Sequence, residues 1–412
     1  MSPSPFLSAL PPPCTCWLKP FCWAIVLTAC SFSSTFLLSA FAHSGASSKA
    51  SFSSSVSPSS LATSSICLLF ASMSSLSDLA HAGASSKGSP PSPSPDLLVH
   101  RLNQALALRQ RLFDKPFYRL VHGEGDPLPG LVIDRFGDVL VVQLNTAGMQ
   151  AVADELLDAL DKVLSPAAVV FRNDTSGRRQ EGLEGGVEVV KGTLPDPVLL
   201  EENGVQFVAP VLDGQKTGWF YDHRVNRAWL NGLVAGKRVL DLFSYVGGWG
   251  VQAAANGARE VLCVDASGAA LERVAENAAL NGVHEQVAVS EGDAFEVLAA
   301  LKAEGEEFDM VILDPPAFIR KRKDIPNGER AYGKLNREAM RLLGRDGLLL
   351  SASCSMHLAP ERLVDVVRGA VRHQDRQGQI LFQGHQGPDH PVHPAIPETS
   401  YLKALGVRVF RD

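Results

Sequence analysis

The chain has 412 residues, 45% of them hydrophobic and 20% charged, which describes a globular protein with room for two or three domains and excludes a fibre or a coiled coil. Its formal net charge of −6 excludes a bulk cation that coats nucleic acid, so any polyanion binding must be confined to a local basic face. Seven cysteines are spread without CxxC or Cys/His spacing, which argues for a reducing compartment and against a structural metal.

Residues 1–96 differ from all that follows. Up to residue 95 the only charged side chains are Lys19, Lys49, Asp78 and Lys87, set among Ser, Pro and Ala tracts, and five cysteines (Cys14, Cys16, Cys22, Cys30, Cys67) fall here. AHSGASSK at 42–49 recurs as AHAGASSK at 80–87, a low-complexity echo rather than a packed repeat. A transit peptide fits the composition, a signal anchor fits the uncharged run at 20–42, and a reading-frame or start-site error fits the abrupt change. We expect the last of these, with cytoplasmic localisation and no membrane partner; a plastid location goes with a genuine transit peptide.

From Leu97 the pattern is that of a folded chain. Residues 97–113 have helical spacing, and 118–145 give three short strands broken by Gly-Asp and Pro-Gly turns. An amphipathic helix at 147–164 and strands at 168–174 and 187–192 complete a small α+β domain, 97–197, suited to RNA binding or substrate positioning. LLEENGVQFVAPVLDGQ reads as a hairpin turning at Asn203-Gly204.

Residues 198–412 carry the second domain. A helix at 222–234 leads into strands at 238–244, 260–267, 287–293 and 309–316 separated by helices, which implies an α/β fold with a parallel sheet covered on both faces. Such sheets bind ligands beyond the carboxyl ends of their strands. The first end, DLFSYVGGWGVQA, has a loose GxGxxA pattern at Gly248, Gly250 and Ala253 that suits a nicotinamide dinucleotide or S-adenosylmethionine equally. Asp265 closes the second strand, where a carboxylate can take both ribose hydroxyls or can cap the next helix. Asp293 follows the third, placed to accept from an adenine amino group. Asp314 opens DPPAF after the fourth, in a loop stiffened by two prolines, and can address an exocyclic amine or ring nitrogen.

The apolar run LLLSASCSMHL at 348–358 reads as a buried strand that ends on Ser353-Cys354-Ser355, and a thiol there is either core packing or a nucleophile. Cys263, inside EVLCVD, reads as core. The stretch 318–337 carries Arg320, Lys321, Arg322, Lys323, Arg330, Lys334 and Arg337 directly after the Pro-Pro loop, a concentration of positive charge at the mouth of the expected site.

The segments YRLVHGEGDPLPGLVIDRFGD, GQKTGWFYDHRVNR, LDLFSYVGGWG, DPPAFIRKRKD and SASCSMH, in this order, make the chain from Leu97 onward resemble the bacterial S-adenosylmethionine-dependent 23S ribosomal RNA cytosine-5 methyltransferases of large-subunit type. The resemblance covers about three quarters of the chain. It implies a Rossmann-like class I methyltransferase domain behind the small domain, S-adenosylmethionine as cofactor, ribosomal RNA as partner, and leaves a homodimer open. By the same likeness Asp241, Ser244, Gly247, Gly248, Asp265, Asp293 and Asp314 line the cofactor, with Phe220, Asp222 and Arg224 reaching it from the domain entrance. Cys354 matches the nucleophile, with Asp314 beside it in the catalytic site, while Lys321, Arg322, Lys323 and Arg330 would meet RNA. The sequence departs from the family in lacking the usual N-terminal PUA module, and from the other group of RNA cytosine-5 enzymes in having no cysteine in the DPP motif, so the base that removes the C5 proton is unassigned. Two rivals stay open: an N-methyltransferase acting on an exocyclic amine, which has no use for Cys354, and an RNA-binding assembly factor without catalysis.

Overall fold

The computed structural model describes residues 95–411; the readings made for residues 1–94 fall outside them. Helix α1 (Pro95–Leu112) packs Leu98, Leu102 and Ala105 onto a five-stranded sheet of β1 (Phe117–His122), β2 (Leu131–Phe136), β3 (Val139–Leu144), β4 (Ala168–Arg172) and β5 (Val187–Gly192), in that order. Helix α2 (Ala153–Leu164) precedes β4, which lets β3 and β4 run parallel while the other pairs are antiparallel. Strands β6 (Leu199–Glu202) and β7 (Val205–Val208) form the expected hairpin, and both turn residues, Asn203 (φ 53°) and Gly204 (φ 81°), adopt the left-handed backbone that such a tight turn needs.

The remaining chain winds a seven-stranded sheet of order β10-β9-β8-β11-β12-β14-β13. After α3 (Arg224–Asn231) come β8 (Arg238–Leu242), α4 (Gly250–Ala255), β9 (Glu260–Asp265), α5 (Gly268–Leu280), β10 (Val287–Glu291), α6 (Ala294–Ala303), β11 (Phe308–Leu313), α7 (Ile325–Met340), β12 (Leu343–Ser353), α8 (Pro360–His373), β13 (Gln377–Gly384) and β14 (Lys403–Phe410). Strands β8 to β12 are parallel, and β14 enters antiparallel between β12 and β13. Alternate residues serve opposite faces: Val239, Val261, Met310, Ile312 and Leu350 pack on the α3–α5 side, while Leu240, Val264, Val311, Leu313 and Leu349 meet Tyr332, Leu335 and Leu363 of α7 and α8. This is the Rossmann-like α/β arrangement expected from the strand–helix alternation. Cys263 is fully buried in that core, as read.

Two elements differ from the sequence reading. The helix expected at 222–234 is shorter, because residues Tyr221–His223 form a 3-10 turn and α3 starts at Arg224. The basic stretch read as one run leaving the site is split: Arg322–Asp324 is a 3-10 turn, and Arg330, Lys334 and Arg337 lie on α7, whose start carries Pro326. Among the described residues no helix is long and apolar enough to cross a membrane.

Candidate active site

The crossover order places the carboxyl ends of β8, β9, β11 and β12 side by side, and the loops that leave them bear the predicted residues. The β8 loop is tightly wound, with Phe243 (φ 64°), Tyr245 (φ 50°) and Gly247 (φ 85°) all left-handed. Gly247 combines this left-handed backbone with a Cβ position only 2.7 Å from the Val251 side chain, so it requires glycine, whereas a Cβ on Gly248 would lie 3.2 Å from the Arg227 guanidinium, which can give way. Ser244 is buried, its Oγ donating to the Val264 carbonyl at 3.3 Å. Asp241 accepts from the Gly250 N–H at 2.9 Å through Oδ2, while its other oxygen is buried with no partner among the described residues. Burial, with the charges of Asp314 and Asp265 nearby, pushes this carboxyl up to about 8.

Asp265 accepts from the backbone N–H groups of Tyr245 (2.9 Å) and Ser267 (3.0 Å), which ties the ends of β8 and β9 together. The cap of α5 is Ser267, not Asp265. Asp293 is exposed and caps α6, its Oδ1 accepting from the Phe295 and Glu296 N–H groups at 2.9 and 3.3 Å. Asp314 sits beyond β11 between two donors, the Trp249 indole at 3.1 Å and His223 Nε2 at 3.2 Å. Burial raises its pKa, but His223 and Trp249 outweigh this and hold the carboxyl below its ordinary value.

Asp222 is buried and accepts from the Tyr401 hydroxyl at 2.6 Å, leaving Oδ1 without a partner among the described residues. Burial opposes its charge, yet Lys216, His223, His390 and the Tyr401 hydrogen bond together keep it ionised. Phe220 stands edge-on to Tyr245 with ring centres 5.5 Å apart. Arg224 does not join this group: its guanidinium lies over Phe113 (4.5 Å), 3.6 Å from Glu202, and donates to the Phe117 carbonyl of β1. Lys321, just before the 3-10 turn, and Arg322 and Lys323 within it are exposed, and Arg330 is exposed but donates to the Pro326 carbonyl within its own helix.

Cys354 follows β12 and is partly buried. The serines on either side explain the motif. The Ser353 and Ser355 Oγ atoms both contact the buried Tyr332 hydroxyl at 2.9 Å, and Ser355 Oγ also accepts from the Ile319 N–H at 3.1 Å. This anchors the strand end to α7 and to the segment after the Pro-Pro loop. Burial pushes the thiol upward from its ordinary value, Lys216 opposes that, and Asp314 and Asp222 add to it.

Sequence reasoning named Asp314 and Asp222 but missed the partners that fix them, His223, Trp249 and Tyr401, and missed Tyr332 and Lys403 beside the cysteine. His223 and Trp249 lie inside the quoted segments GWFYDHR and VGGWG, so proximity in motif was an available signal; Tyr401 and Lys403 carried none.

The donor set fits a cofactor with a cationic centre and hydroxyl groups. Two buried carboxyl oxygens, Asp222 Oδ1 and Asp241 Oδ1, lack partners among the described residues. A family model described as S-adenosylmethionine-dependent methyltransferase matches residues 118–405. A relative from Erwinia tasmaniensis, named ribosomal RNA large subunit methyltransferase I, is 38% identical over 76% of this chain and 81% of its own. Another from Deinococcus radiodurans, named ribosomal RNA large subunit methyltransferase, is 40% identical over 74% of this chain and 77% of its own. A solved structure from Streptococcus mutans, described as a SAM-dependent methyltransferase, has the same fold at 23% identity, with a TM-score of 0.68 over 78% of this chain and 83% of that one. The chain therefore belongs to the S-adenosylmethionine-dependent methyltransferase family and uses S-adenosylmethionine as its cofactor.

Proposed function

We propose that this chain methylates C5 of a cytosine in large-subunit ribosomal RNA, acting in the cytoplasm, with Cys354 as a covalent nucleophile. The substrate class follows the names of the relatives. The observation that carries the chemistry is the Ser353-Cys354-Ser355 strand end, where both serines are locked to Tyr332 and the thiol shares its surroundings with Asp314 and Asp222. A cysteine needed only for packing would not require such a frame.

When bound, S-adenosylmethionine supplies an electrophilic methyl group. C5 of cytosine is too poor a nucleophile to take it unaided, so Cys354 Sγ adds to C6 and pushes electron density onto C5; after the C5 proton leaves, the thiolate is expelled and the ring is restored. Asp314, fixed by His223 and Trp249, would orient the base by accepting from its exocyclic amine. Asp222, Asp241, Asp265, Ser244, Gly247, Gly248 and Phe220 would hold the cofactor. Asp293, already capping α6, would accept from its adenine with its free oxygen, and Arg224 would act from the second rank by supporting the turn that carries Asp222. In this reading residues 97–197 position the RNA and residues 198–412 perform the transfer. Methylation of purified ribosomal RNA followed by nucleoside mass spectrometry tests it: 5-methylcytidine is expected, and N4-methylcytidine would mean that an exocyclic amine is the target.

Two further results are expected. Asp265→Ala weakens S-adenosylmethionine binding by about 1.5 to 3 kcal/mol, the range for hydrogen bonds to a charged group. Part of the loss comes from releasing the Tyr245 and Ser267 N–H groups it now holds. Unchanged affinity by calorimetry would leave Asp265 only that backbone-tying role. Lys321→Glu with Lys323→Glu raises the KM for RNA and flattens the salt dependence of binding while cofactor affinity holds, because exposed cations near the Pro-Pro loop contact phosphates rather than bases. A salt slope equal to the parent's would make that turn a solvated surface.

A further inference from the structure

Lys403 opens β14 directly opposite Ser353, the residue before Cys354. It is buried, 7% exposed, and forms no ion pair with any carboxylate among the described residues. Burial of an unpaired ammonium is costly, and a lysine is kept in such a place only where neighbours take its protons. Two do: Nζ donates to the Ser355 carbonyl at 2.6 Å and to the Tyr401 carbonyl at 2.8 Å.

These two bonds use two of the substituents on a tetrahedral nitrogen, and the carbon of the side chain uses a third. The fourth takes no partner among the described residues. In the ammonium it is a third N–H, and the bond to the Ser355 carbonyl holds the charge beside the strand end that bears Cys354. Burial drives the ammonium down to about 8, and attraction to a Cys354 thiolate works against that fall.

We propose that Lys403, as the ammonium, is the counter-ion of the Cys354 thiolate. The thiol gives its proton to solvent, a sulfur lone pair forms the S–C6 bond as the C5=C6 π pair moves onto C5, and after the C5 proton leaves the S–C6 pair returns to sulfur as the thiolate is expelled. Lys403 keeps its proton throughout and offsets the charge on sulfur before attack and after expulsion. Other groups around the thiol do not fill this role. Tyr332 spends its hydroxyl on the two serines, the Tyr401 hydroxyl is bound to Asp222, and Asp314 and Asp222 are anions that oppose a thiolate. Lys216 is a cation of the right sign, but it is exposed and lies over the Phe220 ring at 4.3 Å, where salt screens it.

This inference rests on Cys354 being the nucleophile, but its test does not require RNA. The full chain is alkylated with iodoacetamide across a pH series at about 0.5 M salt, which screens Lys216, and the peptide bearing Cys354 is followed by mass spectrometry. Lys403 favours the thiolate, so removing it moves the inflection to higher pH. Lys403→Met and Lys403→Gln are each expected to raise the inflection by at least about one unit and to slow alkylation near pH 7.5 about tenfold, with cofactor affinity as a check on folding. Lys403→Arg, which keeps the charge, is expected to titrate near the parent. Either neutral variant titrating with the parent would overturn the proposal, as would Lys403→Arg behaving like Met. Failure here leaves Cys354 as nucleophile to be judged separately by its own substitution.

Discussion

Cys354→Ala is expected to abolish methyl transfer to RNA while leaving S-adenosylmethionine affinity within about twofold of the parent. The split follows from position. Cys354 follows the end of β12, whereas the carboxyl groups assigned to the cofactor stand at or beyond the ends of β8, β9 and β10 and in the turn before α3. The alanine variant keeps both flanking serines on Tyr332, so the strand end and the chain around Ile319 stay in place. Deleting a partly buried sulfur costs a modest amount of packing, but it removes the only route proposed for activating C5. Single-turnover methylation and calorimetry on the same preparation measure the two effects. Turnover by the variant within tenfold of the parent would mean that the methyl group goes to an atom needing no covalent activation.

Asp314→Ala is expected to lower kcat/KM by about a hundredfold or more, a loss on the order of 2.7 kcal/mol. Its carboxylate is the common acceptor for the His223 imidazole and the Trp249 indole, both of them buried. Without it two polar groups lose their partner in a place water reaches poorly, and the orienting contact to the base is lost as well. His223 is further tied to Asn226 at 3.0 Å, so the ring does not simply turn to a new acceptor. Asp314→Asn separates the two contributions: it keeps an acceptor for one donor and removes the charge, and it is expected to retain stability better than activity. Thermal melts and kinetics on both variants check this, and a kcat/KM for Asp314→Ala within threefold of the parent would contradict the assignment.

The parallel sheet was legible because each of its central strands is a short apolar run bounded by a helix start, and β8, β9, β11 and β12 are buried on both faces. β13 and β14 carried no such signal. β13 is an exposed edge strand, and it pairs with a β14 that lies beyond a long polar segment. α7 was hidden by its own composition: Pro326, Gly328 and Gly333 lower helix propensity, and only its buried face, Tyr332, Leu335, Asn336 and Ala339, holds it in place. At the site, the acidic strand ends were visible as residues but not as environments. Asp293, read from sequence as an acceptor for an adenine amino group, also caps α6, and the pairing of Asp314 with His223 and of Asp222 with Tyr401 joins residues far apart in sequence. Lys403 was invisible for the same reason, since its meaning depends on β14 inserting beside β12.

Ribosomal RNA containing 5-fluorocytidine gives the most direct measurement. Fluorine at C5 cannot leave as a cation, so once C5 is methylated the adduct has no proton to lose and the sulfur–carbon bond persists. Incubation with the enzyme and S-adenosylmethionine is expected to yield a stable protein–RNA complex whose nuclease-digested peptide carries the modified nucleotide on Cys354. A methylated RNA product with no such adduct, or an adduct on any other residue, would contradict the account.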